Sequence, residues 1–208
     1  MYIFNRSTTL NRHRMFEATG AAVEVAGIVT GITGLAVSVF ASRYGQPLNT
    51  IGWSTRLESQ AELQAATDKL IANEGYLEWI SSHSELFEDA PSDQLSTVVS
   101  STLASEPKRF YTLLTAAAAN GRLADAVAFG VRAQQFVADT TGMATAFLSG
   151  VYGAFGTVAW LTGADSMGEL DDLVAMQMTN ADYHALVAEA GPLFLPGSGT
   201  TGLIEKIN

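Results

Sequence analysis

Residues 53–63, WSTRLESQAEL, return as residues 160–170, WLTGADSMGEL. Trp53, Thr55, Ser59, Glu62 and Leu63 meet Trp160, Thr162, Ser166, Glu169 and Leu170 at an offset of 107. The same offset carries Asn73 and Tyr76 onto Asn180 and Tyr183, and Leu86-Phe87 onto Leu193-Phe194. Upstream the offset is 108, and Arg14, Thr33-Gly34 and Tyr44-Gly45 fall on Arg122, Thr141-Gly142 and Tyr152-Gly153. A self-match that keeps its order along the chain with one single-residue gap is an internal duplication, and a duplication constrains the fold before any local reading does. The copies are residues 1–104 and 109–208, joined by a short polar linker at 105–108.

Each copy reads as the same series of elements. Ser59 with Glu62, and Ser166 with Glu169, have capping-box spacing and open helices. In the first copy the patterns predict a strand at 2–6, then a helix at 12–30 with Asn11 at its N-cap and Gly31 and Gly34 as stop signals. Strands at 35–44 and 49–57 flank a Gly45-Gln46-Pro47 turn. Helices at 59–73 and 76–87 and a strand at 95–103 complete it. The second copy predicts strands at 109–118, 143–152, 155–162 and 201–207, and helices at 121–138 and 167–190. The order β-α-β-β-α-β is the ferredoxin-like unit. Its helices cover one face of an antiparallel sheet, and the other face must be covered as well. The expected fold is α+β: two tandem ferredoxin-like repeats whose antiparallel sheets pack into one α/β barrel.

Composition narrows the function. The net charge is −10, and only 15% of residues are charged, against roughly 25% in average soluble proteins. Such a surface is buried against a membrane, a partner or another copy. Residues 25–41 and 140–164 are uncharged and near spanning length. Their repeat counterparts carry Gln134, Gln135 and Asp139, and Arg43 and Arg56, so no membrane span is expected and a homo-oligomer is. No basic run extends beyond Arg12-His13-Arg14, which argues against nucleic acid as a partner. There is no cysteine, which excludes disulfides and thiolate chemistry. Residues 1–6 lack a signal-peptide pattern, and a cytoplasmic location is expected. His13, His83 and His184 show no HxH, HxxxH or ExxH spacing, so no metal site is expected.

Candidate site residues follow from polarity that is out of place. Asn5 and Arg6 interrupt an apolar strand whose second copy has Leu113 and Leu114. A polar group kept in one copy alone would make the duplicated protein functionally one-sided. Trp53 and Trp160, and Tyr76 and Tyr183, are repeat-related aromatics suited to a core or to the wall of an apolar pocket. His83 and His184 lie on the second helices and offer a base near neutral pH. Arg14 and Arg122 read as anion-gripping helix starts or as salt bridges near Glu17 and Asp125.

The element order, the Trp closing the third strand and the aromatic in the second helix resemble the dimeric α/β-barrel superfamily, including its antibiotic-biosynthesis-monooxygenase-like and NIPSNAP-like members. Asn5-Arg6 followed by Trp53 is similar to the haem-degrading branch. That branch places a histidine where Ile80 and Val187 stand here, so no cofactor is expected. The resemblance implies a small-molecule-binding barrel with an apolar, aromatic-lined pocket, acting as a cofactor-independent oxygenase or isomerase. The alternative is a non-enzymatic, self-assembling structural or interaction protein.

Overall fold

The computed structural model describes all 208 residues. Strand β1 (Tyr2–Thr9) leads through a short 3-10 turn at Arg12–Arg14 into helix α1 (Met15–Thr33). Strands β2 (Ser38–Tyr44) and β3 (Thr50–Leu57), helices α2 (Gln60–Ile71) and α3 (Glu74–Ser82) and strand β4 (Ser92–Ser101) follow. The series then repeats as β5 (Phe110–Ala117), α4 (Leu123–Thr141), β6 (Ala144–Tyr152), β7 (Thr157–Ala164), α5 (Met167–Thr179), α6 (Ala181–Ala188) and β8 (Thr200–Lys206). The eight strands form a closed barrel in the order β1-β3-β2-β8-β5-β7-β6-β4. Two compact units divide the chain: Met1–Leu95 with Lys206–Asn208, and Ser96–Glu205.

In the first unit, β1 pairs antiparallel with β3, and β3 with β2. Helix α1 buries Ala18, Ala21, Ala22, Val25 and Ala26, the i, i+3, i+4, i+7, i+8 stripe of an amphipathic helix. Because most of these residues are small, the helix lies close to the sheet, against Val39 and Ile51. With its leading turn, this helix is long and apolar enough to cross a membrane by length and composition alone. In the structure its alanine stripe is part of the unit's core. The last residues of the chain close this unit. Asn208 accepts from the Val39 N–H through Oδ1 at 2.8 Å and donates from Nδ2 to the Val37 carbonyl at 2.9 Å.

The second unit pairs β5 with β7 and β8, and β7 with β6. Its helix α4 buries Ala126, Phe129, Gly130 and Gln134. The duplication persists in the caps. Gly34 and Gly142 end α1 and α4 in the left-handed region, at φ 81° and 70°, which costs glycine little. Ser59 and Ser166 each accept the N–H of the residue three on, at 3.1 and 3.3 Å. Glu62 and Glu169 in turn accept from the N–H of Glu58 and Asp165. Asn73 and Asn180 cap α3 and α6 by accepting from the N–H of Tyr76 and Tyr183.

The last cap corrects one expectation. The single helix at 167–190 is two helices, because Asn180 adopts an extended conformation (φ −82°, ψ 114°) and its side chain satisfies the new helix start. Nor does Trp53 close its strand. It is the fourth residue of β3, opposite Arg6.

Candidate active site on the helix-facing side of the first sheet

Strand alternation sorts the candidates. Arg6 is directly opposite Trp53, and Val39 faces Trp53 from the other side. The Trp53 indole donates to the Ala22 carbonyl of α1 at 2.8 Å, so this face looks toward the helices. Phe4, Arg6 and Thr8 therefore share it with Ile51, Trp53, Thr55 and Leu57. Asn5, one residue from Arg6, points to the opposite face.

Arg6 is the polar centre of this face. Its Nε and Nη2 donate to the two carboxylate oxygens of Asp93, each at 2.7 Å. This is the bidentate geometry in which an arginine and a carboxylate bind most strongly. Hydrogen bonding to Asp93 raises the guanidinium's pKa, burial opposes this, and the charge of Asp93 and a hydrogen bond with Tyr76 add to the rise. The Tyr76 hydroxyl on α3 thus lies near the Arg6–Asp93 pair. A guanidinium only donates and a phenol hydroxyl can donate or accept, so both can donate to one ligand oxygen. The two charged side chains are 41% and 44% exposed, so solvent reaches the group from one side. Trp53 lies across the strand pair, with the Phe87 ring 6.0 Å from it.

The second unit fills the equivalent place with carbon. Leu114 takes the position of Arg6, opposite Trp160. Trp160 donates to the Gly130 carbonyl at 3.0 Å, as Trp53 does to Ala22. Around it stand Phe147 at 5.1 Å, Phe194 at 5.7 Å and Phe129 at 6.4 Å. The first unit has Val39 and Ala21 where the second has Phe147 and Phe129.

The other candidates are elsewhere. His83 stacks on Trp79 with ring centroids 4.2 Å apart, and its Nδ1 is 2.8 Å from the Trp79 carbonyl oxygen. It ends α3 and is not joined to Arg6. Tyr183 lies 6.3 Å from Phe136, and burial pushes its phenol pKa up, an effect partly offset by a hydrogen bond with Gln177. His184 is exposed, with Nε2 2.8 Å from the Gln177 carbonyl oxygen. Arg14 and Arg122 form ion pairs with Glu17 at 2.6 Å and Asp125 at 3.2 Å. The structure thus brings Arg6, Trp53 and Tyr76 together and leaves Asn5, His83, Trp160, Tyr183 and His184 apart from them. Asp93 completes the group, and only its isolation as an acid in an otherwise uncharged strand could have signalled it. An open depression of about 490 Å³ in the second unit, beside Lys108, Asp139, Gly142 and Glu169, contains none of these residues.

No protein-family model and no curated protein matches the chain. Solved structures do. A candidate monooxygenase of Fusobacterium nucleatum superposes with TM-score 0.74 at 6% identity, covering 100% of this chain and 92% of that one. A candidate monooxygenase of Lactobacillus acidophilus gives TM-score 0.67 at 8% identity, over 99% and 93%. An anthrone oxidase-like protein gives TM-score 0.71 at 15% identity, over 100% and 91%. The chain shares the fold of these structures, as the resemblance in its sequence implied. At these identities the likeness concerns the barrel and its element order, and the Arg6 group stands on this chain's own geometry.

Proposed function

We propose that the protein binds a small, flat, largely apolar molecule on the helix-facing side of the first sheet and oxygenates it without a cofactor. The observation that carries this reading is the Arg6–Asp93–Tyr76 group beside Trp53, set where the second repeat has Leu114. The Tyr76 O–H and the unused N–H edge of Arg6 are donors for one ligand oxygen. Donors held in place before reaction stabilise charge as it develops there. A ketone conjugated with a CH2 group that loses a proton would leave its negative charge on that oxygen. Molecular oxygen then converts the methylene to a carbonyl and releases water, which balances the step with no added reductant. The solved neighbours described as candidate monooxygenases and as anthrone oxidase-like support this over isomerisation.

Anthrone is the direct probe. Its binding should quench tryptophan fluorescence, with oxygen uptake above the buffer rate. Arg6→Leu, which copies the second repeat, should weaken binding at least tenfold, while Leu114→Ala leaves it unchanged. Absence of both quenching and oxygen uptake in the unmodified protein overturns the reading.

The assembly reading keeps one specific support. Leu48 and Phe155 occupy matching hairpin tips and are 70% and 93% exposed, which is costly for large apolar side chains left in water. Association of copies through these tips is compatible with binding at Arg6 and with a cytoplasmic location. Sedimentation of a Leu48→Ser/Phe155→Ser variant tests it. A monomer in both forms excludes it.

A further inference from the structure

Thr55 is 8% exposed, and its hydroxyl is buried without a hydrogen-bond partner. A buried polar group in that state costs free energy and calls for an explanation. The repeat sharpens the question. Its counterpart Thr162 lies between Thr112 on β5 and Thr145 on β6. Gln134 on α4 donates to the Thr145 hydroxyl at 2.7 Å, and Thr102 stands 3.3 Å from it. The second unit thus places a polar row across three strands under a helix. In the first unit Phe4 faces Thr55. Val37 and Ala26 hold the places of Thr145 and Gln134. Thr112, Thr145 and Gln134 are thus all replaced by residues without a polar side-chain atom, while Thr55 keeps its hydroxyl.

Thr55 shares its face with Trp53, two residues along β3, and stands diagonally across the β1–β3 pair from Arg6. The α-carbons of diagonal neighbours are roughly 7–8 Å apart, and the Arg6 side chain extends from there toward Asp93, so a ligand of at least two fused rings spans the gap. We propose that the Thr55 hydroxyl is the inner polar subsite of the site centred on Arg6. The ligand then has a rigid apolar middle, which lies on Trp53, and a hydrogen-bonding group at each end. One end meets Arg6 and Tyr76, and the other meets Thr55. This inference rests on the proposed binding site and specifies the class of molecule it takes.

The test compares 2-naphthol, with one hydroxyl, and naphthalene-2,6-diol, with two, by fluorescence quenching and calorimetry. Unmodified protein should bind the diol roughly fivefold to tenfold more tightly, the worth of one hydrogen bond. Thr55→Val should abolish that preference and keep affinity for 2-naphthol. Its thermal midpoint should be unchanged or higher, because it removes a hydroxyl that has no partner in the free protein. Arg6→Leu should weaken both probes. Retention of the diol preference by Thr55→Val overturns the subsite. A marked drop in its thermal midpoint also does so, by showing that the hydroxyl has a structural partner. If neither probe binds the unmodified protein, the binding-site reading itself fails, and the subsite with it.

Discussion

Trp53 and Trp160 do the same structural work in different surroundings. Each sits in the middle of its repeat's third strand and donates to a carbonyl in the middle of the first helix. Around Trp160 the space is taken by phenylalanines, and Gly130 is what lets them in. A Cβ on Gly130 would lie 2.1 Å from the Phe147 ring. Around Trp53 the same helix position is Ala22, and the facing strand position is Val39. Glycine with phenylalanine, and alanine with valine, are two solutions to one packing problem. The first makes a solid aromatic core. The second leaves the tryptophan beside an arginine and an ion pair that water reaches. The duplicated unit thus retains one scaffold, while a few side chains decide whether its helix–sheet layer is filler or site.

Breaking that comparison gives the largest expected effect. Phe147→Val should cost about 2–4 kcal/mol through the cavity it leaves. Gly130→Ala alone should cost about 1–3 kcal/mol by overpacking, although helix propensity favours alanine by about 1 kcal/mol. The double variant recreates the pair found in the first repeat and should lose less than the sum of the two. Denaturant midpoints of the four proteins measure the coupling, and strict additivity would show that Phe147 and Gly130 do not compete for one space.

Thr145→Val comes next. It leaves the Gln134 amide without its acceptor, while Thr102 keeps its bonds to the Thr145 backbone, and a buried donor so stranded costs about 1–3 kcal/mol. The same change at Thr55 should cost nothing, so the two thermal midpoints side by side test whether the repeats differ in polar satisfaction.

The smallest effect is set by pH. Burial raises the Tyr183 phenol above its ordinary value, so the unfolded chain ionises first. The associated stability is fully present below the ordinary phenol value, near 10, and is lost as pH rises through the folded value. Tyr183→Phe should flatten the alkaline limb of the stability profile and leave neutral pH unchanged. An identical limb in both proteins would assign the loss to another group.

Much of this was legible in the sequence because it is local or repeated. The capping serines, the glycine stops and the strand–turn–helix series are set by residues a few positions apart, and the duplication states each of them twice. The Asn180 break was hidden because the polar residues around it, Gln177, Thr179 and Asp182, also suit the exposed face of one continuous helix. The site was half legible. Arg6 stood out against Leu114, but Asn5 was grouped with it although neighbouring strand residues face opposite ways. Asp93, 87 residues from Arg6 along the chain, and the isolation of Thr55 opposite Phe4 depend on strand register, which a single sequence does not carry.

The clip made by Asn208 has a consequence for how the protein is born. The hydrogen bond from Val39 to Asn208 spans 169 positions along the chain. A ribosome delivers the strands of the first unit early, but its closing residues emerge only after the second repeat. The leading half therefore waits with β2 incompletely paired while the whole second repeat is made, and contacts at such separation are slow to form. An unpaired strand edge held open that long invites pairing with a neighbouring chain. Synthesis, more than the finished protein, is where this molecule is most exposed to aggregation.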